Sequence, residues 1–128
     1  MATEAIRNNE MMDHLMGALE HGQDIGHYGR LVFVMVGRHF MDDDELVQYL
    51  TKNPDYDETK ARALVQQVQQ RDYNPPRRER ILEWQAQQEF PICPGGDDPD
   101  ACNVYRNLKF PDGVYENIQE YHEQKAGA

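Results

Sequence analysis

The chain has 128 residues, of which 39 % are apolar and 28 % are charged, and its formal net charge is −10. This length suits one domain with its own core, and the clustering of the apolar residues argues against disorder. Nucleic acids and anionic membranes repel so acidic a chain, so composition disfavours nonspecific binding to either. No apolar stretch reaches the roughly 20 residues of a membrane span, and the N-terminus lacks a secretory pattern. We therefore expect one cytoplasmic domain over residues 1–128.

The first predicted helix is marked by Asn9, a favourable N-cap, and by Gly22, which would end it. Between them the apolar residues recur at helical spacing. Asp24 is the predicted N-cap of the next helix. The first helix would bury Met12, Leu15, Met16 and Leu19.

The only long apolar run of the sequence is Leu31–Val36, within a segment of about residues 25–40. Its β-branched residues favour a strand, but a strand needs partners, and no other segment alternates apolar and polar residues over a comparable length. We therefore predict a central helix that is apolar on nearly all sides. Its inward positions would include Tyr28, Leu31, Val32, Met35 and His39.

Two acidic start signals follow the central segment. Asp42 with Glu45 has the spacing of a capping box, and Asp55 with Glu58 repeats it. Asn53–Pro54 would separate the two helices, because the residue before proline avoids helical geometry. The apolar positions are Leu46, Val47 and Leu50 in the first helix, and Ala61, Leu64, Val65 and Val68 in the second.

The second half of the chain contains two breaks. After the first, Asn74 and Pro75 are the predicted N-cap and first residue of a helix with Ile81, Leu82, Trp84 and Ala86 inward. The second is an acidic loop at about residues 90–99, rich in proline and glycine. Asp98 and Pro111 would open the last two short helices. The sequence thus predicts an all-α compact bundle of six to seven short helices around the central apolar helix.

An arginine cluster stands out against the acidic background, with four of the chain's 13 basic residues between positions 71 and 80. Arginines beside aromatic rings can bind phosphates, stack on bases or contact an acidic protein. Alternatively, they pair with Asp72, Glu79, Glu83 or the acidic turn at Asp42–Asp44. The candidate partner-binding residues are Arg71, Tyr73, Arg77, Arg78, Arg80 and Trp84.

Cys93 and Cys102 are the two cysteines, in the segment CPGGDDPDAC. Their spacing is wrong for a zinc knuckle, and a zinc site would need distant histidines such as His21 or His122, so we expect no metal and no cofactor. They remain a candidate redox pair, because a loop with glycine and proline can bring its ends within disulfide distance. Two free thiols are the alternative. The acids between them raise a thiol pKa, which argues against a nucleophilic cysteine.

The cysteine spacing, the internal proline and the residues from Cys102 to Tyr105 resemble the C-terminal redox loop of one regulator family. That family bridges glyceraldehyde-phosphate dehydrogenase and phosphoribulokinase in photosynthetic cells. The resemblance implies that Cys93 and Cys102 pair on oxidation and that the loop enters the active site of a dehydrogenase. The present chain continues well beyond Tyr105 and has no second cysteine pair upstream. No family assignment follows from the likeness.

No catalytic constellation is recognisable: the sequence lacks a serine nucleophile elbow, a Walker loop and a dinucleotide fingerprint. Segregated charge and an arginine–aromatic patch instead favour a specific protein interface. We expect a small acidic accessory or regulatory subunit that is not an enzyme, with its oligomeric state left open. The alternatives are a nucleic-acid-associated module that uses Arg71–Arg80, which the net charge disfavours, and a protein switched by its thiols.

Overall fold

Residues 5–94 and 103–115 are described by the structure, a computed structural model, and over these ranges the regular structure is helical with no strand. The all-α prediction is therefore confirmed. The described residues include no helix that is both long and apolar enough to span a membrane. The six helices are α1 (Glu10–Glu20), α2 (Gly26–Gly37), α3 (Asp43–Leu50), α4 (Glu58–Arg71), α5 (Arg78–Gln85) and α6 (Val104–Asn107). Residues 112–115 are also helical.

Helix α2 is the centre of the bundle, as predicted, because it packs against α1, α3, α4 and α5. The residues from Val32 to Val36 are buried on every side, so the run needs no strand partners. Tyr28, Leu31 and His39, which were predicted to point inward, are only partly buried. One side of α2 is therefore left partly open.

Two predicted caps are confirmed in detail. Asn9 Oδ1 accepts the Met12 N–H at 3.0 Å. Asp42 Oδ1 accepts the Glu45 N–H at 2.9 Å, and Glu45 Oε1 accepts the Asp42 N–H at 3.2 Å, which completes a capping box. The predicted apolar stripes of α1, α3 and α4 are buried. The buried faces of these three helices therefore follow from the local spacing of their apolar residues.

Two predicted helix starts are wrong. Helix α4 is capped by Asp57, whose Oδ1 accepts the Lys60 N–H at 2.8 Å, and not by Asp55, whose own N–H donates to Asn53 Oδ1. Asn74 and Pro75 do not open α5. Pro75 itself precedes a proline, which disfavours helical geometry, so the backbone stays extended through Arg77.

One further prediction is wrong, and another concerns residues that the structure does not describe. Ala86 was predicted to point inward but is exposed, because α5 ends at Gln85. The predicted helix start at Asp98 lies outside the described residues, as do positions 95–99 of the acidic loop.

The start of α2 was also predicted incorrectly, since its N-cap is Ile25 and not Asp24. Asp24 Oδ1 still accepts the Gly26 N–H, at 2.9 Å. A second acceptor comes from far along the chain: Gln88 Oε1 accepts the Tyr28 N–H at 3.0 Å. Gln88 Nε2 donates to the carbonyl oxygens of Ile25 at 2.8 Å and of Phe90 at 3.1 Å. The Gln88 side chain therefore closes the N-terminal end of α2.

Gly26 makes room for this side chain. Its φ is +77°, and a Cβ at this position would lie 2.6 Å from Gln88 Cδ and 2.7 Å from Gln88 Nε2. The end of a glutamine side chain usually moves aside cheaply, but here three hydrogen bonds hold it. Only glycine satisfies both the backbone angle and the close approach.

Replacing Phe33 with alanine should lower the free energy of unfolding by about 3–5 kcal/mol, because a fully buried aromatic side chain leaves a cavity. Urea denaturation followed by circular dichroism measures the change. Gln70→Ala, at an exposed position of α4, is the control and should change stability by less than about 0.5 kcal/mol. Equal effects of the two substitutions would contradict the central position of Phe33.

A double-mutant cycle tests the coupling of Gly26 to Gln88. Gln88→Ala should cost about 1–3 kcal/mol, because it leaves the Tyr28 N–H and the Ile25 carbonyl without their partner. Gly26→Ala should cost more than the backbone strain of about 1–2 kcal/mol, since its methyl group also displaces Gln88. In the Gln88→Ala background only the backbone strain should persist, so the two losses should not add. Additive losses would show that the two residues do not interact.

Candidate functional site

An open groove of about 620 Å³ lies between α2, α4 and the segment 73–84. Its apolar lining residues, which we call the floor, are Leu31, Met35 and Trp84, and its charged lining residues are Arg77, Glu79, Arg80 and Glu83. Leu31 and Met35 are four residues apart on α2 and therefore lie on one face, one turn from each other. This is the side of the central helix that the bundle leaves partly open.

Two contacts fix the direction of the groove. At one end the rings of Tyr28 and Trp84 stack, with centroids 5.6 Å apart and planes at 15°. At the other end Arg38 Nη2 donates to the Tyr73 carbonyl at 3.0 Å. The N-terminal end of α2 therefore lies beside the C-terminal end of α5, and the groove has an aromatic end and an end at Tyr73.

Four of the six predicted partner-binding residues line this groove: Tyr73, Arg77, Arg80 and Trp84. The other two do not line it. Arg71 Nη1 lies 3.4 Å from the Tyr73 hydroxyl, to which it donates, and Arg78 Nε lies 3.2 Å from Glu79 Oε1. The fold therefore divides the arginines of the predicted segment between the groove and its surroundings.

Helical geometry sorts the charges of α5 by depth. Arg80 and Trp84 are four residues apart and share one face, next to the face of the buried Ile81. Glu79 and Glu83 share the face opposite Ile81, about 160° away at 100° per residue. Arg80 Nη1 lies 3.5 Å from Glu83 Oε2 in an exposed pair. The arginine therefore stands between the apolar floor and an outer acidic rim.

The predicted alternative, internal charge balance, holds in part. Glu79 and Glu83 do pair with Arg78 and Arg80, but all four side chains are well exposed and such pairs contribute little to stability. Asp72 instead binds Arg38, with Oδ1 2.7 Å from Nη2.

The acidic turn at Asp42–Asp44 contacts α4 and does not line the groove. Asp44 lies 3.2 Å from Arg62 Nη2, and Asp43 accepts from Gln69 Nε2. These contacts join the start of α3 to α4, against which α3 packs.

The extended segment before α5 is held from the far side by Tyr105. Its hydroxyl donates to the Pro75 carbonyl, and Pro75 and Pro76 are themselves buried. Burial raises the pKa of Tyr105 to about 12, and the nearby positive charge of Arg77 opposes the rise. The phenol therefore stays protonated and keeps its hydrogen bond across the neutral range. This contact fixes the point from which Arg77 enters the groove.

Phe90 and Pro91, just before the cysteine segment, lie against α1. His14 Nε2 is 2.8 Å from the Pro91 carbonyl oxygen, and the His14 and Phe90 rings stack at 5.1 Å. Cys93 is buried, and its N–H donates to Gln85 Oε1 at 2.8 Å. Cys102 lies outside the described residues, so the pairing of the two cysteines stays a prediction. Within residues 5–94 and 103–115, no group of three or more potential metal-binding side chains comes together.

Leu31 was predicted to face the interior but is only partly buried at the groove, whereas Met35, which also borders the groove, is buried as predicted. Their spacing on one face of α2 was visible, but nothing in the local sequence shows that this face is left partly uncovered. How far this face is covered depends on the direction of α5 after the Pro75–Pro76 segment.

Comparisons with protein-family models, with curated proteins and with solved structures found no match. The likeness of the cysteine segment to the dehydrogenase regulators therefore stays a local resemblance.

His39 borders the contacts that hold Tyr73 in place. Its ring meets the Phe110 ring at 5.5 Å, edge to face, and its Nε2 is buried without a hydrogen-bond partner in the described part of the chain. Burial lowers the pKa of His39, and the neighbouring Arg38 lowers it further, while Asp72 acts in the opposite sense. The folded protein therefore favours the neutral imidazole.

Acidification should weaken the fold through His39. Because the unfolded chain takes up this proton near pH 6.5 and the folded protein does so only at lower pH, stability is complete above about pH 6.5 and falls as the pH passes through the folded pKa. His39→Gln should remove this component. The melting temperature of the variant, relative to that of wild type, should therefore rise as the pH is lowered from about 8 to about 5. The carboxylates titrate in both proteins, so the difference isolates His39. A constant difference would contradict the expectation.

Proposed function

We propose that this protein is a small cytoplasmic accessory or regulatory subunit that binds another protein through the groove between α2 and α5 and has no catalytic activity of its own. The observation that carries the proposal is the groove floor. Leu31 and Trp84, both partly exposed, and the largely buried Met35 form an apolar surface beside Arg77 and Arg80. Protein interfaces concentrate their binding energy in such places, where aromatic and arginine side chains surround an apolar centre.

The charge pattern of the groove favours a protein over a nucleic acid. A nucleic acid presents phosphates at regular intervals along its backbone, and each would meet Glu79 or Glu83 soon after meeting an arginine. The net charge of −10 adds a long-range repulsion. A protein surface can place groups of both signs where the groove needs them. The mixed rim therefore supports the interface that the sequence favoured.

The environment of Cys93 gives less support to a thiol switch. The residue is only 7 % exposed, and its backbone is held by Gln85. An oxidant or a second thiol reaches a buried cysteine only after local opening, so exchange would be slow. The groove, in contrast, is open without any rearrangement.

A capture experiment tests the proposed interface. The tagged protein is retrieved from the cells that produce it, and the proteins that accompany it are identified by mass spectrometry. Arg77→Gln combined with Arg80→Gln should abolish retention of the partner, and so should Leu31→Ser. The thermal melts should change little, because exposed arginines contribute little to folding but can dominate binding.

Arg62→Gln is the matched control. Arg62 is an exposed arginine of α4 that pairs with Glu58 and Asp44 away from the groove, so its replacement removes an arginine charge without touching the site. The partner should be retained by this variant as by wild type. Retention by the Leu31→Ser variant, with an unchanged melt, would overturn the proposal.

A further inference from the structure

We infer that the segment of the partner that enters this groove carries an apolar anchor and, a short distance along it, a carboxylate. The anchor lies against Trp84 and Leu31, and the carboxylate lies at Arg77 and Arg80. This inference rests on the proposed function and specifies the chemistry of its partner. It is carried by the unequal distribution of apolar and charged groups along the groove.

The aromatic end of the groove selects the anchor. Trp84 is half-buried and stacks on Tyr28, whose hydroxyl donates to Gln87 Oε1 at 3.1 Å. The Tyr28 ring is thus held by a hydrogen bond as well as by the stack, and it supports the Trp84 ring before any ligand arrives. A rigid aromatic wall beside Leu31 favours a leucine or aromatic side chain, since burial of apolar surface needs no further ordering of the site.

The opposite end of the groove selects the acid. The segment that follows Tyr73 brings Arg77 and Arg80 to the groove. Glu79 and Glu83 also border it, but helical geometry places them on the face of α5 opposite the buried Ile81. A carboxylate that enters over the apolar floor therefore meets guanidinium groups before it meets the acidic rim. Arginine binds carboxylates with two parallel hydrogen bonds, which a lysine of the partner could not accept.

The dimensions of the site limit the length of the contact segment. Arg77 and Trp84 are seven positions apart, which corresponds to about 10 Å along a helix axis. An extended chain covers the same distance in about three residues. The anchor and the carboxylate therefore belong to one short segment of the partner and not to two separate parts of its surface.

Peptide arrays provide the test. Each peptide carries one leucine, phenylalanine or tryptophan anchor and, at each of several spacings, a glutamate; matched arrays carry lysine or glutamine in its place. The labelled full-length protein should bind the glutamate peptides about tenfold more strongly than the matched lysine peptides, the size expected for one to two charged contacts. The preferred spacing should be the same for the three anchors.

Charge-reversed variants make the test specific to the groove. Arg80→Glu alone should reduce the preference for glutamate, and its combination with Arg77→Glu should reverse the preference to lysine. Arg62→Glu makes the same change outside the groove and should keep the wild-type preference. Circular dichroism and thermal melts show whether each variant is folded. If the double variant does not fold, the glutamate preference of the single Arg80→Glu variant is the test.

Equal binding of glutamate and lysine peptides, or no binding above the glutamine array, would overturn the inference. An undiminished preference for glutamate in the folded Arg80→Glu variant would overturn it as well. These outcomes differ from a failure of the proposed function, which is retention of the native partner by Leu31→Ser. If capture depends on Leu31 but the arrays show no charge preference, the groove is an interface for a partner of different chemistry.

Discussion

The side chain of Gln88 joins the two elements on which the groove depends. It lies 60 residues from Tyr28 in the chain, yet it accepts that residue's N–H and donates to the Ile25 carbonyl. The first N–H groups of a helix have no intrahelical partner, and the central helix lacks a side-chain N-cap at Ile25. The missing cap therefore comes from the turn after α5. Any movement of α5 away from α2 would expose these backbone groups, so the wall of the groove and the start of the central helix are stabilised together.

Local signals were sufficient to predict most of the fold. Asn9 and the Asp42–Glu45 box act within a few residues, and they open the helices where the sequence indicated. The wrong start of α4 arose because two local solutions were available. Asp55 and Asp57 are both plausible caps, and the choice depends on how Asn53 turns the chain. The cap from Gln88 could not be predicted, because a glutamine carries no signal for a contact so far away in sequence.

The candidate site could be predicted in its charged half only. Arginines and aromatics close together in an acidic chain are visible in the sequence, and Tyr73, Arg77, Arg80 and Trp84 do line the groove. The apolar floor was hidden, because a side chain that faces a groove and one that faces the core obey the same helical period. Leu31 is half-buried although the neighbouring Val32 is fully buried. What separates them is the position of α5, which follows from the rigid Pro75–Pro76 pair and from its anchor at Tyr105.

The same rigidity explains why an open groove can persist in so small a domain. Apolar surface left exposed would be covered if α5 could collapse onto α2, since burial at about 25 cal/mol per Å² favours closure. Two attachments oppose this movement. Pro75 is tied to Tyr105, and Trp84 is stacked on Tyr28 at the other end. Proline has few backbone conformations to lose, so ordering the extended Pro75–Pro76 segment before α5 costs little conformational entropy. The apolar floor beside Arg77 and Arg80 is therefore held open in the free protein, and a partner that covers it gains burial without first having to rearrange the site.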